Sequence, residues 1–315
     1  MTNPIFKKTI SAVTSALPKA KKTTVWILKI ILPISLLVNI LQYFGFISIF
    51  AHFLTPIFSH IGLPGESAIV FITSIFLPLY APIAIATTLS LQVREITILA
   101  VMCLISHNLL VETAIQKKAG SSYFALFFVR VVSSFVAAYC LNKLLPLNMS
   151  GEITAENAVH FQNICQMIFQ WGIDAFWLII KIWLIISGLI ILQNILKEFN
   201  LLTKLTNVFA PIMGLIGLSR ESTFLWLVAH ILGLTYGSAV ILSSIESNEI
   251  AASDADLLNY HIAVNHSTLE DTLLFVAIGV PAIWMIVPRF ILAISIVWVV
   301  RLVHFLLVRK RFSTN

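Results

Sequence analysis

Pro56-Ile-Phe-Ser-His-Ile-Gly-Leu-Pro-Gly-Glu-Ser67 has a second version in this chain, Pro211-Ile-Met-Gly-Leu-Ile-Gly-Leu-Ser-Arg-Glu-Ser222. Ser106-His-Asn-Leu-Leu-Val-Glu-Thr113 likewise returns as Asn265-His-Ser-Thr-Leu-Glu-Asp-Thr272. Equivalent residues are 155 positions apart in the first pair and 159 in the second. A spacing that only grows along the chain is typical of a true internal repeat whose loops gain residues. The sequence therefore predicts two copies of one structural unit.

The composition places these copies in a membrane. Hydrophobic residues make up 59% of the chain, charged residues 11%, and the mean hydropathy is +0.96. Soluble proteins carry about 25% charged residues. The apolar runs are too long and unbroken for barrel strands, which alternate every second residue. We therefore expect an all-α, polytopic integral membrane protein built from two inverted-topology repeats with interrupted helices.

Apolar segments and polar breaks divide the chain into five parts. They are a basic N-terminal membrane-surface segment (1–24), membrane repeat 1 (25–146), an external linker with an amphipathic segment (147–172), membrane repeat 2 (173–308) and a basic cytoplasmic tail (309–315). No removable signal peptide is expected at the N-terminus. The three cysteines are odd in number and widely spaced, so they predict neither a disulfide framework nor a metal motif.

The distribution of cations predicts the orientation of the chain. Lysines precede the first apolar segment and arginines close the last one, so the positive-inside rule places both termini in the cytoplasm. Lys and Arg are absent between Lys143 and Lys181, and again between Arg220 and Arg289. In copy one the loops matching this second region carry Arg94, Lys117 and Lys118. Opposite loop charge in equivalent positions predicts that the two copies are inverted.

Each copy has one apolar segment with paired helix breakers. Pro78 and Pro82 interrupt the segment 66–92, and Gly233 and Gly237 stand at the equivalent places of copy two. Proline removes a helical hydrogen bond, and glycine loosens a helix. Freed backbone groups in a bilayer must face protein or water. Breaks repeated in both copies favour a transport site over simple packing kinks.

Polar and ionisable residues lie inside a later apolar segment of each copy. Such groups at membrane depth need a partner or a cavity, and they are functional more often than structural. Convergence of the two sets across a pseudo-twofold axis would form one site able to bind a cation, relay protons or hydrogen-bond a solute. The alternative is a purely structural role in holding two helices together. The candidate residues are His107, Asn108, Glu112 and Thr113 in copy one and Asn265, His266, Ser267, Glu270, Asp271 and Thr272 in copy two.

A second set of candidate residues opens the interrupted segments. Glu66-Ser67 and Glu221-Ser222 follow a Gly-Leu turn, where a carboxylate in the first helical turn offsets the backbone dipole. Helix starts also bind solutes, so a binding role stays open for these four residues.

Enzyme and cofactor motifs are absent from the sequence. His266 and Glu270 lack the rest of a zinc-binding His-Glu-x-x-His helix, and no nucleophile elbow or phosphate loop is present. His107 and Glu112 are five residues apart, on different helix faces, so a metal would need a broken helix there. We expect no enzyme activity, no cofactor and no resident metal. The expected partners are the lipid bilayer and a small polar solute or ion; a homo-oligomer stays open, and nucleic acid is excluded by the lack of a soluble domain.

The two blocks with Pro-x5-Gly-Leu-x2-Glu-Ser, the interrupted segment and the later His/Asn-rich segment resemble the nucleoside-recognition (Gate) domain. That domain occurs in bacterial membrane proteins such as the spore maturation A and B proteins. It is also similar to the gate segments of nucleoside and ferrous-iron transporters. The resemblance covers about residues 25–145 and 173–308. It implies a multi-pass protein of the bacterial inner membrane, and nothing in the chain itself identifies a base- or ribose-binding site.

The sequence thus favours a transporter-like membrane protein with a central site for a nucleoside-type solute or a cation. Two alternatives stay open: a non-transporting component of a membrane complex, and an intramembrane enzyme acting on a lipid. Transport predicts a hydrated route to the two His-containing segments. A scaffold predicts polar groups that satisfy one another, and a lipid enzyme predicts a nucleophile or metal facing the bilayer.

Overall fold

The computed structural model describes residues 4–147, 149, 152–153 and 163–313 and is almost entirely helical. The helices of the first half are α1 (Pro4–Tyr43), α2 (Phe46–His60), α3 (Ser67–Phe76), α4 (Tyr80–Ala86), α5 (Val93–Ser106), α6 (Leu109–Lys118) and α7 (Tyr123–Leu144). Those of the second half are α8 (Ile164–Glu198), α9 (Leu201–Phe209), α10 (Met213–Ile216), α11 (Thr223–Leu232), α12 (Leu234–Glu246), α13 (Ala252–Val264), α14 (Glu270–Val276) and α15 (Ala282–Ser313). Short 3-10 turns cover Ala210–Ile212 and Arg220–Ser222. The strands β1 (Leu91–Gln92) and β2 (Glu152–Ile153) pair antiparallel.

Several of these helices are long and apolar enough to cross a bilayer. Among the described residues, four stretches meet that requirement: Val93–Lys118, Tyr123–Leu144, Ile164–Leu196 and Ala282–Leu306. A bilayer core of about 30 Å needs roughly 20 helical residues. The outward faces of α7 and α15 carry large exposed apolar side chains, including Phe124, Phe128 and Ile291. The prediction of an all-helical, polytopic membrane protein is confirmed.

The internal repeat is visible in backbone conformation as well as in sequence. Eight of the ten described residues with a left-handed φ, which L-amino acids rarely adopt, occur in matched pairs at the two spacings found in the sequence. The pairs are Gly45 (75°) with Asn200 (50°), Gly62 (75°) with Gly217 (86°), Asn108 (47°) with Ser267 (45°) and Gly120 (98°) with Gly279 (97°). Eight such residues in register show that both copies turn at the same points of the fold.

The helices α1 and α8, which lead into the matched turns at Gly45 and Asn200, pack against each other and run antiparallel. Trp171, near the start of α8, donates from Nε1 to Ser35 Oγ at 3.1 Å. Asn194, near the end of α8, donates from Nδ2 to the carbonyl of Ala12 at 3.1 Å. Equivalent helices that run antiparallel are related by an axis perpendicular to them. Since α8 is a candidate membrane span, this axis lies in the membrane plane, as an inverted repeat requires.

Helix α1 passes without a break through the predicted boundary between residues 24 and 25. Its small residues Ala12, Ala16 and Ala20, spaced four apart, are buried, whereas Phe6 and Leu17 are exposed. Small residues at this spacing let two helix backbones approach closely in a membrane. The N-terminal segment is therefore continuous with the first long helix. Residues 148, 150–151 and 154–162 of the predicted linker 147–172, and the last two residues of the tail 309–315, lie outside the described residues.

The predicted interruption is present in both copies. Helix α3 ends at Phe76 with Leu77 extended (φ −125°, ψ 157°), and α4 begins after Pro78. In copy two, Gly233 (φ 89°, ψ 165°) separates α11 from α12. The second breaker of each pair lies inside a helix: Pro82 in α4 and Gly237 in α12. Gly237 has a packing role, since an added Cβ would come within 2.9 Å of Ala229.

A further interruption, which the sequence analysis did not identify, divides the His-containing segment of each copy. Helix α5 stops at Ser106 and α6 starts at Leu109; α13 stops at Val264 and α14 starts at Glu270. The backbone N–H of Asn108 donates to the carbonyl of Ser74 at 2.7 Å, and that of Ser267 donates to Ala229 at 3.1 Å. Ser74 and Ala229 are equivalent and lie in the last turns of α3 and α11. The two breaks of each copy therefore satisfy each other's freed backbone groups, as a membrane interior demands.

Candidate functional site

Four ionisable side chains, two from each copy, meet where the broken segments face each other. His107 Nε2 lies 3.3 Å from Glu112 Oε1 and 3.6 Å from Asp271 Oδ2. His266 Nε2 lies 3.4 Å from Glu112 Oε2. The two imidazole ring centres are 5.1 Å apart. All four residues are buried. We refer to His107, Glu112, His266 and Asp271 as the central cluster.

The tautomer of both histidines follows from their backbone contacts. His107 Nδ1 lies 3.2 Å from the carbonyl of Cys103, and His266 Nδ1 lies 2.7 Å from the carbonyl of Ile262. A carbonyl oxygen only accepts, so Nδ1 carries the proton in each ring. Each Nε2 is then the atom that faces the carboxylates. Since each carbonyl belongs to the residue four positions earlier, the last turns of α5 and α13 orient the two rings identically.

Arg130 on α7 is the main partner of the cluster in copy one, and sequence reasoning missed it. This arginine is fully buried and donates from Nη2 to Glu112 Oε2 at 2.8 Å. It also donates from Nε to the carbonyl of Ile105 and from Nη2 to the carbonyl of His107, both at 2.8 Å. These carbonyls lost their helical partners where α5 stops. Arg130 therefore pairs with the buried carboxylate and closes the broken helix end with one side chain.

Arg289 on α15 is the equivalent arginine of copy two, 159 positions further on and also fully buried. It donates from Nη2 to Thr272 Oγ1 and from Nε to the carbonyl of Met285, both at 2.9 Å. In copy two the residue equivalent to Glu112 is Asp271. Arg289, however, donates to the neighbouring Thr272 and not to Asp271. The two copies thus differ in which of two adjacent side chains their arginine holds. The shared spacing was the sequence signal that could have identified both arginines.

Several buried polar atoms around the cluster have no hydrogen-bond partner among the described residues. They are Asp271 Oδ2, His266 Nε2, Asn265 Nδ2, Thr113 Oγ1, Arg130 Nη1 and Arg289 Nη1. A buried polar group without a partner costs about 1–3 kcal/mol, and native proteins contain few of them. These six atoms belong to the cluster, to residues next to it in sequence, or to the two arginines, and they indicate a place where water, an ion or a solute completes the hydrogen bonding.

The other predicted residues of these segments take different positions. Glu270 accepts from the hydroxyl of Tyr80 at 3.3 Å, a contact between the copies. Asn265 Oδ1 accepts from Thr268 Oγ1 at 3.2 Å. Asn108 and Ser267 occupy the left-handed turns and shape the site through the backbone. The structure thus brings four of the predicted residues into contact and places most of the others in the surrounding wall.

Glu66, Ser67, Glu221 and Ser222 lie at the starts of α3 and α11. Ser67 and Ser222 are buried, Glu66 is half-buried and Glu221 is exposed. Ser222 Oγ lies 2.8 Å from Ser219 Oγ, a local turn contact. Within the described part of the chain, no hydrogen bond or ion pair joins these four residues to the central cluster. A binding role for them stays a prediction.

Copy two contains a second buried polar group beside the cluster that copy one lacks. The rings of Trp226, His230, His261 and Phe290 are mutually within 4.3–6.1 Å. Trp226 Nε1, His230 Nε2 and both nitrogens of His261 have no partner among the described residues. The equivalent residues in copy one are all apolar: Phe71, Ile75, Met102 and Val131.

Polar contacts also join the copies away from the cluster. Gln116 Nε2 donates to the carbonyl of Asn259 at 2.9 Å, and Asn259 Nδ2 donates to Ser121 Oγ at 2.9 Å. Ser121 Oγ donates in turn to Asp256 Oδ1 at 2.6 Å. These bonds connect the α6–α7 turn of one copy to α13 of the other, which holds the two broken segments face to face.

Comparison with known proteins agrees with this architecture. Residues 24–140 match the family model described as nucleoside recognition (Gate). The chain is 28% identical over 269 residues to the membrane protein YvoD of Bacillus subtilis (strain 168), covering 83% of this chain and 85% of YvoD. No solved structure matches the chain significantly. The resemblance noted in the sequence is therefore confirmed: the first repeat of this multi-pass membrane protein is similar to the nucleoside-recognition (Gate) family.

Proposed function

We propose that this protein moves a small polar solute across the membrane, of the cation or nucleoside class, by binding it at the central cluster between two inverted repeats. One observation carries the proposal. Two matched helix breaks bring two imidazoles and two carboxylates together at the centre of the protein, with six buried polar atoms left to bind something. A structural contact alone would satisfy these atoms, because unpaired polar groups only destabilise.

Inverted repeats support a transport role because they can open a shared site to either side. Transporters of this plan bind substrate near the middle of the bilayer, at discontinuous helices where the repeats meet. The proposed setting is the bacterial inner membrane, with both termini in the cytoplasm and lipid around the exposed apolar faces. The role is non-enzymatic: the cluster offers ligands and proton carriers, and its functional groups are directed at one another.

Transport is tested by flux into proteoliposomes. Wild-type protein, Glu112→Gln and Asp271→Asn are reconstituted in parallel, and uptake of radiolabelled nucleosides and of divalent cations is measured. Each substitution removes a charge and keeps the side-chain shape, so we expect at least about tenfold slower uptake of the true substrate, since this corresponds to about 1.4 kcal/mol of lost binding or barrier stabilisation. Glu246→Gln, at the exposed C-terminal end of α12, is the matched control and should retain wild-type flux.

Two results would contradict the proposal. Wild-type vesicles that take up no tested solute faster than empty vesicles would favour a non-transporting component of a membrane complex. Unchanged flux in Glu112→Gln and Asp271→Asn would remove the central cluster from the transport route. Thermal unfolding of the variants in detergent shows whether a loss of flux comes from a loss of folded protein.

A further inference from the structure

We infer that the central cluster binds a divalent transition-metal ion, held by His107 Nε2, His266 Nε2 and an oxygen of Asp271. This inference rests on the proposed function and names the substrate class of the same site. Three potential ligand atoms from these residues lie within 4.8 Å of one another, and all three residues are buried.

The tautomers leave two lone pairs directed into the cluster. Both Nδ1 atoms donate to backbone carbonyls, so in the neutral rings each Nε2 presents a lone pair. Those lone pairs face carboxylate oxygens at 3.3 to 3.6 Å. Two electron-rich atoms face each other stably only with a proton or a metal cation between them. A backbone carbonyl behind each imidazole is also the usual outer support of a metal-binding histidine, because it fixes the ring and raises its basicity.

Asp271 is the carboxylate that is free to act as a ligand. Arg130 already occupies Glu112 Oε2 at 2.8 Å, whereas Arg289 donates to Thr272 and leaves Asp271 Oδ2 without a hydrogen bond, 3.6 Å from His107 Nε2. Among the described residues, His266 Nε2 likewise makes no hydrogen bond and lies 3.4 Å from Glu112 Oε2. A proton on one histidine would give a partner to one carboxylate oxygen only. A metal ion would bind His107 Nε2, His266 Nε2 and Asp271 Oδ2 at the same time.

The helix break makes the geometry accessible. In a continuous helix, residues five apart such as His107 and Glu112, or His266 and Asp271, point in different directions. The left-handed turns at Asn108 and Ser267 redirect the chain so that both pairs face one point. Tetrahedral coordination at about 2.0–2.1 Å separates ligand atoms by roughly 3.3 Å. His107 Nε2 and Asp271 Oδ2 are already 3.6 Å apart.

The donor set selects the class of metal. Two imidazole nitrogens with a carboxylate suit first-row ions from Mn²⁺ to Zn²⁺, whereas Mg²⁺ and Ca²⁺ require oxygen ligands. Charge on the surrounding residues moderates the affinity. Glu112, Glu270 and Asp271 attract a cation, while Arg130 and Arg289 repel it. A transported ion must also be released, so moderate affinity suits this site.

Direct binding to purified full-length protein tests the inference without relying on transport. Metal-free protein in detergent is titrated with Co²⁺, Mn²⁺ and Zn²⁺ by calorimetry, and the visible absorption of bound Co²⁺ reports nitrogen and oxygen ligands. We expect one saturable site of moderate affinity, unaffected by excess Mg²⁺ or Ca²⁺. His107→Gln, His266→Gln and Asp271→Asn should each weaken binding by about tenfold or more, since a lost ligand costs at least as much as a lost supporting contact.

His261→Met is the matched control. His261 is also a fully buried histidine with unpartnered nitrogens, only five residues from His266, and Met is the residue that copy one carries at the equivalent place. It should leave Co²⁺ affinity and absorption unchanged. Added Zn²⁺ should raise the unfolding temperature of the wild type and of His261→Met but not of Asp271→Asn.

The outcomes separate the two proposals. Cation binding that survives all three ligand substitutions, or no saturable binding by folded protein, would overturn the metal inference. Nucleoside flux without metal binding would do the same while leaving transport intact. Binding lost in the three variants, with no flux of any solute in proteoliposomes, would support the metal site and refute the transport role.

Discussion

At the scale of single residues, Arg130 makes three buried hydrogen bonds that hold the site together. It neutralises a buried carboxylate and satisfies two carbonyls at the end of α5. Arg289 has the same burial and the same place in the fold, but it bonds one hydroxyl and one carbonyl of its own helix. Equivalent arginines with unequal partners provide an internal comparison of what a buried ion pair contributes.

We therefore expect Arg130→Met to destabilise the protein much more than Arg289→Met. Removing one partner of a buried pair costs about 3–5 kcal/mol because the other charge stays buried and unpaired. Losing a hydrogen bond to a hydroxyl costs about 1–3 kcal/mol. Thermal unfolding of both variants in detergent measures the difference. Equal losses of stability would mean that Arg289 also compensates a buried charge.

The sequence predicted the ionisable residues of the site better than their partners. His107, Glu112, His266 and Asp271 were identifiable because charge inside an apolar segment is rare. Arg130 and Arg289 obey the same rule and the same spacing, yet both stand on segments that otherwise read as plain membrane spans. Their contacts depend on how α7 and α15 pack against the broken helices, which no local pattern encodes.

At the scale of helices, each copy contains two interruptions that stabilise each other through backbone hydrogen bonds. The first was predictable, because Pro78 and Gly233 are strong local signals. The second was not, since Asn108 and Ser267 carry no such signal in an apolar segment. Their left-handed conformation is imposed by tertiary contact with the carbonyls of Ser74 and Ala229. Prediction failed where the cause of the break lies on a different helix.

The aromatic and histidine group of α11, α13 and α15 gives a second comparison between copies. We expect the double substitution His230→Ile and His261→Met, which introduces the residues of copy one, to leave the unfolding temperature equal or higher. It removes three buried nitrogens without a hydrogen bond, which destabilise, and gives up one contact, from His230 Nδ1 to the carbonyl of Trp226 at 2.9 Å. Unfolding in detergent checks this expectation. A clear loss of stability would mean that these nitrogens have partners in the folded protein, such as ordered water.

At the scale of the whole molecule, the inverted arrangement makes a testable statement about the membrane. Lys118 and Ala277 are equivalent residues, near the ends of α6 and α14, so they should face opposite sides. In a variant without native cysteines, Lys118→Cys and Ala277→Cys are labelled in intact cells with a membrane-impermeant maleimide. We expect Ala277→Cys to react and Lys118→Cys to react only after the cells are opened, since Lys118 lies on the cation-rich side.

Labelling of both positions from the same side would contradict the inverted arrangement. An unlabelled Ala277→Cys in opened cells would show that the position is inaccessible, and Gly279→Cys, at the adjacent turn, then serves as the second probe. The apolar composition predicted long membrane helices, and loop charge predicted the inverted arrangement with which the antiparallel packing of α1 and α8 agrees. The depth of each loop in the membrane could not be predicted from the sequence, because it depends on how the helices pack.

The unequal bonds of the two arginines have a consequence for motion. Two copies of one fold can exchange conformations, and we expect that exchange to give a state open to the opposite side of the membrane. In that state Arg289 would hold Asp271, and Arg130 would hold Thr113, whose hydroxyl is now without a partner. A bound cation would pass from Asp271 to Glu112 as the arginines change places. Thr272→Val removes the partner of Arg289 in the described state, so it should shift the resting population toward the exchanged state. Thr113→Val removes the expected partner of Arg130 in the exchanged state, so it should shift the population the other way. The two substitutions should therefore change maleimide labelling of Lys118→Cys and Ala277→Cys in opposite directions.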